Sequence, residues 1–292
     1  MNAGLRLWLD SRHLAHEELL TRLHISPGTH AAAWPGASPR AAPLEHFEQG
    51  ARVACSPWRA ADCSTQLTCA GLAFGRRDAS RTVGLVDLPQ VLAAQLLEAR
   101  EMSLQPGQRA SATALRDAAL KALAADLLHR HAWRLDLVGA SNIGFGAGTG
   151  STSNTTIHAD TGQRVGLHLD SWDRLPPLER WQGQNRICIN LGAGERSLQF
   201  VPMPVVDMVA ALKKRGRDVV VDREAQRDST GRLDLARTFL ETFPATPVVR
   251  MRMRPGEAYI APTENLIHDG CVHSPARDLT LTVRGRIVPL LS

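Results

Sequence analysis

The chain has little of what marks several common protein classes. Aromatic residues are 4% of its 292 positions, and lysine stands only at 121, 213 and 214. Nucleic-acid surfaces usually carry a dense basic stripe interleaved with aromatics. Here the densest basic stretch is Lys213-Lys214-Arg215-Gly216-Arg217, which reads as a solvated helix end despite a formal charge of +5 and a pI near 9.3. The cysteines, at 55, 63, 69, 188 and 271, form no C-x-x-C pair, and the spacing of the first three does not match a structural zinc site. Reduced, mostly buried thiols are expected instead. No apolar run approaches a membrane span, and no N-terminal stretch has the charged, apolar and small-residue segments of a secretion signal. These absences point to a soluble, cytoplasmic protein with no nucleic-acid or membrane partner. Nothing in the pattern sets an oligomeric state.

Hydrophobic residues make up 43% and charged residues 22% of the chain, enough apolar content for a sizeable core. Leu14, Leu19, Leu20 and Leu23 recur near helical spacing and predict a short helix over 12–24. Prolines at 27, 35, 39 and 43 predict an irregular arm from 25 to 43. Helices are predicted over 89–102, with Pro89 in the tolerated first turn, and from a cap at Ser111 or Thr113 to about 131, with an apolar stripe of Leu115, Leu120, Leu123 and Leu127. After Trp133 the pattern turns extended: 134–138, 163–170, 186–191, 248–254 and 278–287 read as strands, with short helices over 205–212 and 233–243. The glycines from 144 to 150 fit no G-x-G-x-x-G register and precede no helix, which excludes a dinucleotide loop. Helices first and strands afterwards predict an α+β chain with a mainly β core. A helical and loop extension (1–132) would pack on a core domain (133–292) in one integrated unit.

Two polar constellations stand out within that core. His168 and Asp170 lie two apart at the end of an apolar-alternating stretch, so on a strand both side chains point the same way and can grip one ion. His268 stands one hundred positions later, after a Pro255-Gly256-Glu257 turn and an apolar run. Two imidazoles and one carboxylate suit a divalent iron with one open face.

The His-x-Asp pair, the long gap, the Pro-Gly-Glu turn, the distal His and an Arg on the last strand together resemble the iron(II) and 2-oxoglutarate-dependent oxygenases, over roughly residues 133–288. The resemblance implies a double-stranded β-helix (jelly roll) core. It implies His168, Asp170 and His268 as iron ligands, and 2-oxoglutarate and dioxygen as cosubstrates. It also implies oxidative decarboxylation of the keto acid to succinate coupled to hydrogen removal from an unactivated C–H bond. Asp170 in the carboxylate position favours hydroxylation, desaturation or ring formation over halogenation. The expected substrate is a small molecule such as an amino acid, a peptide or a natural-product intermediate. The keto acid's far carboxylate calls for a guanidinium beyond the distal His. Arg277 and Arg284 both satisfy that spacing, with Arg277 slightly preferred and Thr280 or Thr282 as a hydroxyl partner.

Rivals exist at each position. His158 and Asp160 form a second His-x-Asp, in a polar stretch that reads as a loop, and His273 is a second distal histidine. Asn190, Arg186 and Asn265 are candidates to flank the site. Glu264 or Asp269 could orient His268, and Trp172 could close over a substrate. Other classes fit some of these features. A cupin-type jelly-roll isomerase or binding protein explains the Pro-Gly-Glu turn but usually clusters its histidines, and a zinc hydrolase needs only three ligands and a water.

Overall fold

A computed structural model describes residues 6–9, 21–32, 47–61, 79–131, 133–140, 144–146, 153–154, 156–158, 160–217, 235–272 and 278–289. Two sheets dominate. The first contains β1 (Arg6–Leu9), β6 (Thr82–Asp87), β13 (Glu257–Ala261), β10 (Asn185–Asn190), β15 (Asp278–Pro289) and β7 (Trp133–Ala140), in that spatial order, with β8 (Gly144–Gly146) also on β15. The second runs β5 (Arg59–Ala60), β2 (Leu23–Ser26), β12 (Val248–Met253), β11 (Arg196–Pro204), β14 (Leu266–Val272) and β9 (Ser153–Asn154). A separate pair joins β3 (Thr29–Ala31) to β4 (Arg52–Ala54). The ladders are antiparallel except β1 on β6.

Each sheet has one helix-backed face, and the two other faces meet. Helices α1 (Gln90–Ser103) and α2 (Arg109–His131) lay Leu92, Leu96, Leu120, Leu123 and Leu127 on Ile187, Ile189, Ile260, Leu281 and Val283 of the first sheet. Helices α3 (Val205–Lys214) and α4 (Leu235–Thr242) cover Val201, Val248 and Ile267 of the second. Between the sheets, Leu85, Cys188 and Tyr259 meet Leu198, Phe200, Met251 and Met253. The pleat sends neighbouring residues of β10 to opposite faces, so Ile187 and Ile189 face the helices while Arg186, Cys188 and Asn190 take the other side.

Several expectations need correction. The helix expected over 12–24 ends earlier: Thr21 and Arg22 are helical, Leu23 belongs to strand β2, paired with Met251, and residues 12–20 lie outside the described set. The Pro-rich stretch from 25 holds the rest of β2 and all of β3; residues 33–43 lie outside the described set. Residues 163–170 form no continuous strand. Gly166, at φ +73°, breaks the extended path, and only Arg164 and His168 make bridges. Helix α2 starts at Arg109, before the expected caps. The strands β6 and β11 went unread. The basic stretch at 213–217 does sit at the end of α3, where cations favour the helix carbonyl terminus. Among the described residues, no helix is long and apolar enough to cross a membrane.

Candidate metal centre

His268 is fully buried in β14, with Phe200 of β11 opposite on one side. On its other side the backbone pairs with His168: each N–H donates to the other's carbonyl, at 3.0 and 2.8 Å. Directly opposed residues of an antiparallel pair project to the same face, and the two rings stand 4.6 Å apart. Gly166 makes this approach work. A Cβ there would lie 2.6 Å from the Arg52 carbonyl oxygen, which instead accepts a hydrogen bond from the Leu167 N–H at 2.9 Å. Two residues beyond His168, the Asp170 N–H donates to the Thr263 carbonyl at 3.1 Å and fixes the carboxylate beside both rings. His168 Nε2 is 3.7 Å from Asp170 Oδ1, and His268 Nε2 is 3.5 Å from Oδ2. One ligand atom from each of the three residues lies within 4.8 Å of the others, the only such cluster among the described residues.

Both imidazoles are held by their other nitrogen. Nδ1 of His168 lies 2.7 Å from the Gly166 carbonyl, and Nδ1 of His268 lies 3.3 Å from that of Leu266. A carbonyl only accepts, so these contacts place the proton on Nδ1 and leave the Nε2 lone pair facing Asp170. His268 Nε2 and Asp170 Oδ2 are buried without a hydrogen-bond partner. Burial holds His268 neutral, pushing its pKa down to about 3, with His168 and Arg186 adding to the shift against the opposing pull of Asp170. For His168, burial is outweighed by Asp170, Asp269 and the Gly166 carbonyl, and the pKa rises. Burial would also raise Asp170, but Arg186 and the two histidines hold it well below the usual carboxylate range.

Around the triad lies a shell rich in guanidinium. Arg186 Nη2 is 3.1 Å from Asp170 Oδ2 and donates to Oδ1 at 3.3 Å. It also stacks over Trp172 at 4.8 Å and bonds to Tyr259, the one tyrosine of the chain. Arg284, opposite Arg186 across β10 and β15, reaches the same indole at 5.2 Å. Arg180 fastens the loop after Asp170, donating to the Asp170 carbonyl at 2.7 Å and the Glu264 carbonyl at 3.1 Å. Glu264 Oε1 accepts from the Asp173 N–H at 2.7 Å, and burial raises its pKa.

His158 and Asp160 are exposed and turn on themselves, with the Asp160 N–H donating to His158 Nδ1 at 3.3 Å. They do not approach His268. Arg277 and His273 lie outside the described residues. Thr280 sits opposite Asn190, four positions along β15 from Arg284. The orienting groups differ from expectation: backbone carbonyls hold both rings, Glu264 secures the loop, and Asn265 ties the Val205 and Ser80 backbones. Asn190 braces the turn at Gly192 and Gly194. Sequence reasoning missed Arg180 and Tyr259 altogether; no local motif signals either.

No protein-family model matches the chain, and no curated protein matches it in sequence. Among solved structures, it is similar to those of the Kdo hydroxylase KdoO, a non-heme Fe(II) alphaketoglutarate-dependent dioxygenase. The apo form aligns at 15% identity over 71% of this chain and 80% of that one, with a TM-score of 0.41. The cobalt(II) complex aligns at 14% identity over the same shares, with a TM-score of 0.38. The complex with alphaketoglutarate and Fe(III) gives 15% identity and 0.36, again over those shares.

Proposed function

We propose that the chain is an iron(II)- and 2-oxoglutarate-dependent dioxygenase that hydroxylates an unactivated C–H bond of a small molecule. The observation that carries this reading is the convergence of two Nε2 lone pairs and one carboxylate on a common point, with both rings locked from behind. Two ligands at right angles, each about 2.1 Å from one ion, stand roughly 3 Å apart. The 3.5 and 3.7 Å edges here need only a slight contraction. The donor set, two imidazoles and a carboxylate on one face, is that of non-haem iron(II) oxygenases. Bound iron would supply dioxygen activation driven by decarboxylation of the keto acid.

The chain's own residues would do the rest. His168, Asp170 and His268 hold the ion, and the Gly166 and Leu266 carbonyls keep both histidines in the ligating tautomer. Arg284 is our choice for the far carboxylate of the keto acid. It faces the indole next to Asp170 and, among the described residues, has no carboxylate in ion-pair reach. Arg180 and Glu264 keep the loop carrying Trp172 in place beside the site. We read the two sheets as a double-stranded β-helix, since from β10 to β15 the chain changes sheet at every step except β11 to β12, which pair within the second sheet.

The test is succinate release that requires both iron(II) and 2-oxoglutarate. His168→Ala and Asp170→Ala should reduce it to background, while His158→Ala and Asp160→Ala should leave it intact. Turnover surviving in the first pair would overturn the reading.

A further inference from the structure

Arg186 claims the same carboxylate that the proposed metal centre needs. Its guanidinium lies 3.1 and 3.3 Å from the two oxygens of Asp170, the one anionic member of the triad. Three features hold it there. The ladder fixes its backbone between Ala261 of β13 and Arg284 of β15. The Trp172 ring lies under its charged plane at 4.8 Å, and the Tyr259 hydroxyl bonds to it. The charge therefore stays within a few ångströms of whatever Asp170 binds.

We propose that Arg186 is a positioning residue that competes with a divalent cation for Asp170 and thereby sets the metal affinity of the site. The inference rests on reading His168, Asp170 and His268 as a metal centre. Two opposed consequences follow from one contact. Asp170 is 8% exposed, and a buried carboxylate stripped of its partner is strongly destabilising, so Arg186 supports the folded chain when no ion is bound. The same cation repels an arriving ion, in an interior where charges are weakly screened, and shares the ion's only anionic ligand. Stability without metal and affinity for metal are thus traded against each other at this residue. A guanidinium that merely filled space would raise neither conflict.

The experiment titrates cobalt(II) into chelator-treated protein and follows its visible absorption and binding heat. Removing the charge, in Arg186→Met, should tighten cobalt binding by about ten-fold or more. Arg186→Lys keeps a charge but loses the planar fork, and should fall between, at about three-fold tighter. Without metal, Arg186→Met should melt below wild type, and cobalt should raise its Tm by more than it raises the wild-type value. Cobalt affinity equal to or weaker than wild type in Arg186→Lys, and in Arg186→Met where it folds, would overturn the proposal. His168→Ala separates the two levels. Should it leave cobalt binding untouched, the metal centre itself fails; should it abolish binding while the Arg186 variants show no gain, only the role of Arg186 fails.

Discussion

The two faces of β10 live in different solvents. Toward α1 and α2 it presents Ile187 and Ile189, both fully buried among leucines and valines. Toward the other sheet it presents Arg186, which sits against a carboxylate, an indole and a phenol. Apart from Asn185, whose side chain donates to the Ala79 carbonyl at 3.0 Å, the helix-backed face of β10 is apolar, so its energetics are mainly those of close packing. The inner face keeps charged groups buried, and each needs a partner or an unmet purpose. Residues one position apart thus serve stability and chemistry separately, because the pleat assigns them to different neighbours.

That contrast can be broken from either side. His268→Ala should remove all keto-acid-dependent turnover at a small cost in stability, measured by succinate release beside thermal melting. Leu123→Ala, in the helix-backed core, should do the reverse. It should cost about 2–5 kcal/mol of unfolding free energy and leave the cobalt stoichiometry unchanged. A Leu123→Ala protein that folds but binds no cobalt would show that the two faces are not independent.

A smaller effect sharpens the inner face. His168 has a raised pKa, so its proton competes with metal near neutral pH, whereas His268, at about 3, and Asp170 are already proton-free there. Metal affinity should climb by about ten-fold per pH unit as pH rises toward the His168 pKa, then level off. The slope should match one proton, read from cobalt titrations across pH. A two-proton slope would mean that His268 is charged in the metal-free chain. The smallest effect concerns Cys271, 2% exposed and pushed up to about 12 by burial and by Asp269. Iodoacetamide at pH 8 should leave it unmodified in folded protein and label it only after denaturation, by peptide mass.

How far the chain could be read depended on whether local spacing carried the information. The i, i+2 relation of His168 and Asp170 survives even though their segment is no regular strand, since two short extended steps suffice to align the side chains. Their meeting with His268 was legible only through the resemblance, because a bridge across one hundred residues leaves no local trace. The contact between Arg186 and Asp170 was illegible for the same reason: it depends on how the loop after Gly166 docks on β10. Strand β6 was missed because it is buried on both faces, with Val86 toward the helices and Val83 and Leu85 between the sheets, so no alternation remains. The helix expected to reach 24 stops at Arg22, because pairing of Leu23 with β12 outweighs helical leucine spacing.

One ion should bind all three converging side chains. Crystals soaked anaerobically with iron(II) and 2-oxoglutarate should give a single iron anomalous peak bounded by His168 Nε2, His268 Nε2 and the Asp170 carboxylate. A peak at His158 and Asp160, or none within bonding distance of His268, would contradict it.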